Sequence, residues 1–278
     1  AGTLERMNGW SHAVEKPVAL PALASLPVRH NLPYAATSFV GRQQELTDLL
    51  GLLARPDCRL VSLVGPGGMG KTRLALEAAR TLVEQPSPAF NDGVFLIALA
   101  DIPTMGQAIP ALAEAVGFAF TGSEALRDQL ATYLQSKQML LILDNFEHLV
   151  EEAAGVSDLL QVGPDIKFLV TSRTRLNLYE EWQSQHPGLE TPPPPVENTP
   201  APAFSAVQLF VQRAKQVKPG FNLTGTEAAE AGRLCRLLEG VPLAIELATA
   251  WVEQYDCGQI RDQIQRNFDF LTSSLRNI

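Results

Sequence analysis

The feature that most constrains this chain is a glycine-rich loop between an apolar run and a helix-forming segment. The run covers positions 60–64, and Gly-Pro-Gly-Gly-Met-Gly-Lys-Thr follows it at positions 65–72. A strand, a glycine loop and a helix in this order are the context in which a P-loop binds phosphate. The glycines let backbone N–H groups turn inward, and the helix start adds a partial positive charge. The predicted nucleotide-binding residues of this segment are Gly65, Pro66, Gly67, Gly68, Met69, Gly70, Lys71, Thr72 and Arg73.

Two side chains of this loop and one downstream acid supply the expected chemistry. Lys71 can reach the β- and γ-phosphates of a nucleotide as a point charge, and the Thr72 hydroxyl can ligate Mg²⁺. Asp144 ends the apolar run 139–143, and a carboxylate there can hold Mg²⁺ beside the phosphates. An aspartate after an apolar run is also a common helix N-cap. Because Asp144 lies downstream of the loop, we favour the metal role, with Thr72 and Asp144 as the Mg²⁺ ligands.

Hydrolysis of ATP also needs a group that orients water and a cation that stabilises the developing charge. Asn145 cannot act as a general base. Glu147 could orient water, or it could be an exposed acid in the first turn of a helix, and the sequence leaves both open. Arg173 ends the next apolar run and could reach a γ-phosphate, a role that we favour over that of a surface arginine. The catalytic candidates are Lys71, Asp144, Glu147 and Arg173.

Apolar runs and amphipathic helical segments alternate through the first two thirds of the chain. Four of these runs are apolar almost throughout, as in strands covered on both faces; they are 60–64, 94–99, 139–143 and 166–171. This alternation predicts an α/β fold, a P-loop NTPase core with a parallel sheet sandwiched by helices. A fifth strand near Trp182 is possible. Ligands bind at the carboxyl ends of such strands, where Gly65, Asp144 and Arg173 lie.

Proline content and helical periodicity divide the chain into four predicted parts. Prolines recur in residues 1–36, which favours extended backbone and predicts an N-terminal arm or linker. Residues 37–190 are the P-loop nucleotide-binding domain. Residues 191–203 include a polyproline run and are expected to form a stiff connector. Residues 204–278 have a helical pattern and predict a small all-α domain that packs against the sheet domain as a lid.

Composition limits the expected partners and compartment. The chain has 278 residues and a net charge of −8, and an acidic chain is a poor candidate for direct nucleic-acid binding through phosphate contacts. Its three cysteines have neither disulfide nor zinc spacing, which favours a reducing cytosol. No apolar run reaches membrane-spanning length. We therefore expect a cytoplasmic protein without membrane or direct nucleic-acid partners.

Five short motifs occur in an order that resembles a known family. They are Phe-Val-Gly-Arg at 39–42, the glycine loop at 65–72, the strand and acids at 140–147, Leu-Val-Thr-Ser-Arg at 169–173 and Glu-Gly-Val-Pro-Leu-Ala at 239–244. From about residue 37 onward, the chain resembles the STAND class of P-loop ATPases, which includes the NB-ARC/AP-ATPase group. It looks most like the nucleotide-binding core of bacterial multidomain regulators, the antibiotic-regulatory-protein (SARP) and LuxR-type transcription factors.

The resemblance implies further contacts with an adenine nucleotide. By this resemblance, Val40 and Gly41 would touch adenine or ribose. Independently of the resemblance, the position of Arg42 just before the first helix suggests that it could border the base. Arg173 would be the sensor arginine, and Pro242 would pack on the adenine from the helical domain. In relatives, ADP lies between the two domains and locks a closed monomer, whereas ATP opens the arrangement and permits self-association.

Two features differ from the family pattern. Asn145 replaces a second acid that many relatives have, which argues against fast hydrolysis. The sequence also stops where relatives continue into a winged-helix domain and sensor repeats, so it looks like a switch module without its covalently linked effector and sensor domains. We therefore expect an ATP/ADP-binding switch with weak, Mg²⁺-dependent ATPase activity. The alternatives are a non-hydrolysing scaffold that holds ADP and a P-loop enzyme that acts on a separate acceptor.

Overall fold

The structure, a computed structural model, describes residues 28–85, 87–194 and 203–271. The strands of the described residues are β1 (Leu60–Val64), β2 (Gly93–Ala98), β3 (Met139–Asp144), β4 (Ile166–Ser172) and β5 (Glu181–Gln185). They form one parallel sheet in the order β2-β3-β4-β1-β5. The α/β fold with a parallel sheet is confirmed, and the possible fifth strand near Trp182 is β5.

The α-helices lie on both faces of this sheet and beyond its carboxyl edge. Those in the first part of the chain are α1 (Gln43–Ala54), α2 (Lys71–Glu84), α3 (Met105–Val116), α4 (Leu126–Leu134) and α5 (Ala154–Val162). Those in the last part are α6 (Ser205–Val217), α7 (Thr226–Leu237), α8 (Pro242–Thr249) and α9 (Cys257–Arg266). Short 3₁₀ helices cover Pro88–Phe90, Phe146–Glu152 and Phe268–Leu271.

The sheet is buried because apolar helices cover both of its faces. On one face, Leu49 of α1 and Leu74 of α2 pack in a cluster with Val61 and Leu63 of β1. On the other face, α3, α4 and α5 pack on the alternate residues of β3 and β4 in a second cluster. Burial on both faces explains why the central strands read as continuous apolar runs rather than as alternating patterns. This packing fixes the carboxyl edge of the sheet, where the predicted site residues lie.

Part of the predicted N-terminal arm pairs with the sheet. His30 forms a parallel bridge with Val94, and the Val94 N–H donates to Arg29 O at 2.9 Å. The Asn31 side chain accepts a hydrogen bond from Leu96 N at 2.7 Å and donates to Leu96 O at 2.8 Å. This segment therefore covers the outer edge of β2, which would otherwise present unpaired backbone groups. Residues 1–27 of the predicted arm lie outside the described residues.

The last four helices form a third apolar cluster. Phe210 of α6, Leu234 of α7, Ile245 of α8 and Ile260 of α9 are completely buried in it. Leu189, from the segment after β5, belongs to the same cluster, and its N–H donates to Gly240 O at 2.7 Å. The helices α6 to α9, which we call the helical layer, are thus packed against the segment that leaves the sheet, close to the carboxyl end of β5.

Candidate nucleotide-binding site

The loop after β1 begins at the carboxyl edge of the sheet and ends at α2. The Gly65 N–H donates to Ser172 O of β4 at 3.3 Å. Gly68 and Gly70 have φ angles of 78° and 80°, the left-handed region that favours glycine. A Cβ on Gly68 would also lie 2.8 Å from the Cβ of Leu243. Glycine at this position therefore permits both the turn of the loop and the close approach of α8.

Lys71 is the first residue of α2, and its side chain folds back over the loop. Its Nζ donates to Gly65 O at 2.7 Å and to Pro66 O at 2.9 Å. Burial lowers the pKa of the Lys71 ammonium from its ordinary value, and the nearby Glu147 carboxylate opposes this shift. A phosphate on the loop would offer the ammonium a charged partner in place of two neutral carbonyl groups.

The two predicted Mg²⁺ ligands are in direct contact. Thr72 Oγ1 donates to Asp144 Oδ1 at 2.6 Å, and Thr171 Oγ1 donates to the same oxygen at 2.6 Å. Thr171 Oγ1 also accepts the Asn145 N–H at 3.0 Å. Hydroxyl and carboxylate oxygens are the hard donors that suit Mg²⁺, so the residues present fit this ion. Within the described residues, no group of three or more His, Cys, Asp or Glu side chains could hold a metal, so phosphate and water would complete the coordination.

Glu147 and Arg173 form an ion pair beside the loop. Arg173 Nε lies 3.0 Å from Glu147 Oε1. A Cβ on Gly67 would lie 3.5 Å from an Arg173 Nη atom, so the guanidinium extends to the loop. The Arg173 side chain is 65% exposed. Because the guanidinium of this pair is largely exposed to solvent, the pair contributes about 1 kcal/mol or less, and a phosphate could replace Glu147 as the arginine's partner at small cost.

Arg42 and His186 carry buried nitrogen atoms without partners. Arg42 precedes α1 with a φ of 61°, and its Nη2 donates to Pro187 O at 2.9 Å. Arg42 Nε and Nη1 and both ring nitrogens of His186 have no hydrogen-bond partner among the described residues. Burial, aided by the positive charges of Arg42 and Lys71, lowers the pKa of His186 from 6.5 to about 4. His186 is therefore a neutral imidazole at neutral pH, beside the start of the loop.

A crevice extends from the end of the loop toward the helical layer. The predicted nucleotide contacts that line it are Val40, Arg42, Gly70, Arg73 and Pro242. Phe39, Leu189 and Leu209 give it apolar walls, and Glu246 adds one carboxylate. The backbone of Gly41 instead allows α6 to approach, since a Cβ there would lie 2.5 Å from Ser205 Cβ.

The start of α8 lies directly on the glycine loop. The Leu243 N–H donates to Gly68 O at 3.2 Å. Pro242 is in the first turn of α8, and its Cγ lies 3.8 Å from the position of a Cβ on Gly70. The first N–H groups of a helix have no partner within the helix, and here the loop carbonyl supplies one. The structure thus brings Pro242 to the loop, while the contact with adenine that the resemblance implies stays a prediction.

Three polar residues of this region were not predicted from the sequence: Thr171, His186 and Glu246. Thr171 follows the strand position paired with Leu143, so the register of neighbouring strands places it beside Asp144. Glu246 lies one helical turn after Pro242, and helical periodicity could have placed it on the same face. No motif marks His186, because only the pairing of β5 with β1 brings it to Gly65.

The parallel sheet and the glycine loop are those of a P-loop NTPase fold, and comparison with known proteins agrees. Residues 38–171 match the family described as AAA ATPase domain, so this part of the chain is similar to that family. Among solved structures, the Aeropyrum pernix ORC1 protein, determined in complex with DNA, superposes with a TM-score of 0.53 at 18% identity. That match covers 84% of this chain and 66% of the other, and it supports the fold alone.

Two relatives from Mycobacterium tuberculosis (strain ATCC 25618 / H37Rv) are more similar in sequence. "Uncharacterized protein Rv0894" is 35% identical over 244 residues, which cover 87% of this chain and 57% of the relative. "Putative HTH-type transcriptional regulator Rv0890c" is 34% identical over 219 residues, which cover 78% of this chain and 23% of the relative. The chain thus spans little more than half of one relative and less than a quarter of the other. The family match confirms the predicted P-loop ATPase core, and the relative named as a transcriptional regulator is consistent with the predicted resemblance to a STAND-like regulator core.

No helix in the described parts of the chain is both long enough and apolar enough to cross a membrane.

Proposed function

We propose that this chain is the ATP/ADP-binding switch module of a STAND-type signalling or transcriptional regulator, with slow Mg²⁺-dependent ATP hydrolysis and nucleotide-controlled self-association. The contact between α8 and the glycine loop carries this proposal. Leu243 donates to Gly68 O, and Pro242 faces Gly70. A nucleotide bound to this loop would contact the same residues as the start of α8. A change in the number of its phosphates can therefore alter the contact between α8 and the loop.

The loop residues would hold the phosphates and the metal. Lys71 would exchange the Gly65 and Pro66 carbonyls for phosphate oxygens, and the backbone N–H groups of the loop would add further donors. Thr72 and Asp144 would hold Mg²⁺, which when bound supplies positive charge to the β- and γ-phosphates. The crevice, lined by Val40 and Pro242, would receive the adenine.

The Glu147–Arg173 pair would make the position of Glu147 depend on whether a γ-phosphate is bound. A γ-phosphate beside Gly67 attracts the Arg173 guanidinium and releases the Glu147 carboxylate. The released Glu147 can then orient a water molecule for attack on phosphorus. Asn145, next to Asp144, adds no second carboxylate at this edge, which is in keeping with slow turnover.

The wider partners of the module belong to the same proposal. We expect covalently linked effector and sensor domains, as in multidomain regulators, and the name of one relative refers to HTH-type transcriptional regulation. The net charge of −8 disfavours direct contact between this part and nucleic acid, so DNA binding would be left to the effector. A cytoplasmic site of action is in keeping with three buried free cysteines.

Nucleotide binding is tested first by denaturing the purified protein and identifying any released nucleotide. Calorimetry with ADP and with ATP, in the presence of Mg²⁺, then compares the parent with Lys71→Ala. We expect this variant to lose about 100-fold or more in affinity, because the ammonium makes charge-assisted contacts with phosphate. Lys215→Ala removes an exposed lysine of α6 and should bind like the parent. Tight ADP binding by Lys71→Ala would contradict the assigned site.

The alternative functions give different results in a phosphate-release assay. Slow release of phosphate from ATP and water alone supports the proposed ATPase. Bound ADP without any phosphate release after long incubation would identify a scaffold that does not hydrolyse ATP. Turnover that requires a second substrate would identify an enzyme acting on a separate acceptor. Size-exclusion chromatography with light scattering, in ADP and in a non-hydrolysable ATP analogue, tests the self-association.

A further inference from the structure

Glu246 presents one unpaired carboxylate oxygen at the candidate site. It lies on α8 one turn after Pro242 and lines the crevice at the end of the loop. Arg213 of α6 approaches only one of its oxygens, with Nε and Nη2 each 2.9 Å from Oε1. Among the described residues, Oε2 has no hydrogen-bond donor. Glu246 therefore offers a hydrogen-bond acceptor to a ligand in the crevice.

The carboxylate is held in a fixed orientation by a buried arginine. Arg213 is only 8% exposed, and its Nη2 also donates to Thr37 Oγ1 at 3.1 Å. The same hydroxyl accepts a hydrogen bond from Arg73 Nη1 at 2.7 Å. Arg213 is thus held by Thr37 as well as by Glu246. A ligand that binds Oε2 does not have to order a mobile side chain, which favours its recognition.

The polar groups of the crevice are complementary to those of a ribonucleoside phosphate. Near Gly70, the buried Nε and Nη1 of Arg42 are donors without acceptors, and phosphate oxygens could accept their hydrogen bonds. Oxygen Oε2 of Glu246 is an acceptor without a donor among the described residues, and it could accept a hydrogen bond from a hydroxyl group of the ligand. Phe39 and Leu209 provide apolar walls for a base between these polar groups.

The arrangement favours the sugar over the base as the partner of Glu246. Arg73 belongs to the first turn of α2, which begins at the phosphate-binding loop, and it lines the crevice together with Glu246. The group next to the phosphates in a nucleotide is the ribose. A carboxylate that accepts hydrogen bonds from ribose hydroxyls is a recurring solution in nucleotide-binding folds.

We infer that Glu246 Oε2 accepts a hydrogen bond from the ribose hydroxyls of the nucleotide on the loop, so that the site selects ribonucleotides over 2′-deoxyribonucleotides. This inference rests on the proposed nucleotide binding. It assigns Glu246 as a specificity-determining residue and Arg213 as the residue that positions it. Glu246 would contact the sugar while the loop contacts the phosphates, so the contributions of the ribose and of the phosphates to affinity can be measured separately.

Calorimetry with ADP, 2′-deoxy-ADP and inosine diphosphate tests the assignment. Because a hydrogen bond to a charged group is strong, we expect the parent to bind ADP about tenfold more tightly than 2′-deoxy-ADP. Glu246→Gln keeps an oxygen for Arg213 but removes the charged acceptor, and its preference should fall to about threefold or less. Glu253→Gln, at an exposed acid of the same helical layer, should keep the parent's preference.

Each result bears on the ribose assignment in a defined way. Equal affinity of the parent for ADP and 2′-deoxy-ADP would overturn the assignment and leave the proposed nucleotide binding intact; this measurement needs no variant to fold. Full preference retained by a folded Glu246→Gln would also overturn it. A variant that changes only the ratio of ADP to inosine diphosphate affinity would show that Glu246 reads the base instead. Failure of the parent to bind any of the three nucleotides would overturn both proposals.

Discussion

The buried His186 should make the stability of this protein fall as the pH drops below neutrality. The pKa of His186 is lowered from 6.5 to about 4 in the folded protein, mainly by burial and then by the positive charges of Arg42 and Lys71. A lowered pKa of a basic group means that the unfolded chain binds the proton more readily than the folded one. His186 therefore leaves the free energy of unfolding unchanged above pH 6.5, the pKa of its imidazole in the unfolded chain. The free energy of unfolding decreases as the pH falls toward about 4, the pKa of this imidazole in the folded protein.

The size of this effect follows from the two pKa values of His186. A full shift from 6.5 to about 4 corresponds to about 3 kcal/mol at most in the free energy of unfolding. Between about pH 7 and about pH 5, the unfolded imidazole becomes protonated while the folded one stays neutral, which costs about 2 kcal/mol. His186 is only 4% exposed, so solvent screening reduces this value little.

Urea denaturation followed by circular dichroism at about pH 5 and about pH 7 measures the loss. His186→Leu removes the titrating group and two buried unpaired nitrogens. Between about pH 7 and about pH 5, the free energy of unfolding of this variant should therefore fall by about 2 kcal/mol less than that of the parent. Carboxylates titrate in both proteins, and the comparison cancels their effect. His148→Gln, at an exposed histidine, should behave like the parent. Equal losses in the parent and His186→Leu would refute the reasoning.

Two further substitutions address the γ-phosphate contact and the docking of α8. Arg173→Ala should weaken ATP binding about tenfold and change ADP binding less than about twofold, because the guanidinium is expected to contact only the γ-phosphate; equal losses in calorimetry would remove this role. Gly68→Ala places a Cβ 2.8 Å from Leu243 at a φ of 78°, and urea denaturation should show a loss of about 1–3 kcal/mol. Gly51→Ala is the control, because a Cβ on this glycine of α1 would have no neighbouring atom within 4 Å, and it should be neutral or stabilising by about 1 kcal/mol. A similar loss of stability in both variants would exclude a specific contact with Leu243.

Much of the sheet could be predicted because its strands are buried on both faces. A run such as 139–143 can satisfy its backbone and bury every side chain only between other strands and two helical layers. The glycine loop fixed the position of β1 and α2, and the acid after β3 followed from the carboxyl-edge rule. These inferences need only local sequence and the general handedness of parallel folds.

Other features depend on contacts between distant segments, which periodicity does not encode. The prolines near residue 33 indicated extended backbone, but the pairing of Asn31 with Leu96 depends on the open edge of β2. His186 ends up beside Gly65 because β5 joins the sheet next to β1. The free oxygen of Glu246 becomes apparent only once α6 places Arg213 against the other oxygen. Each of these required the three-dimensional arrangement.

Some polar contacts join the helical layer to the glycine loop and to the segment before α1, and a nucleotide could offset them. They include Leu243 to Gly68 and Arg213 to Thr37, each a single hydrogen bond. Hydrogen bonds of this kind contribute about 1 kcal/mol each, and a 100-fold difference in affinity corresponds to about 3 kcal/mol. A nucleotide that binds one arrangement 100-fold more tightly than the other could therefore offset both contacts. Because Gly68 belongs to the phosphate-binding loop, such a difference would act where the two layers meet.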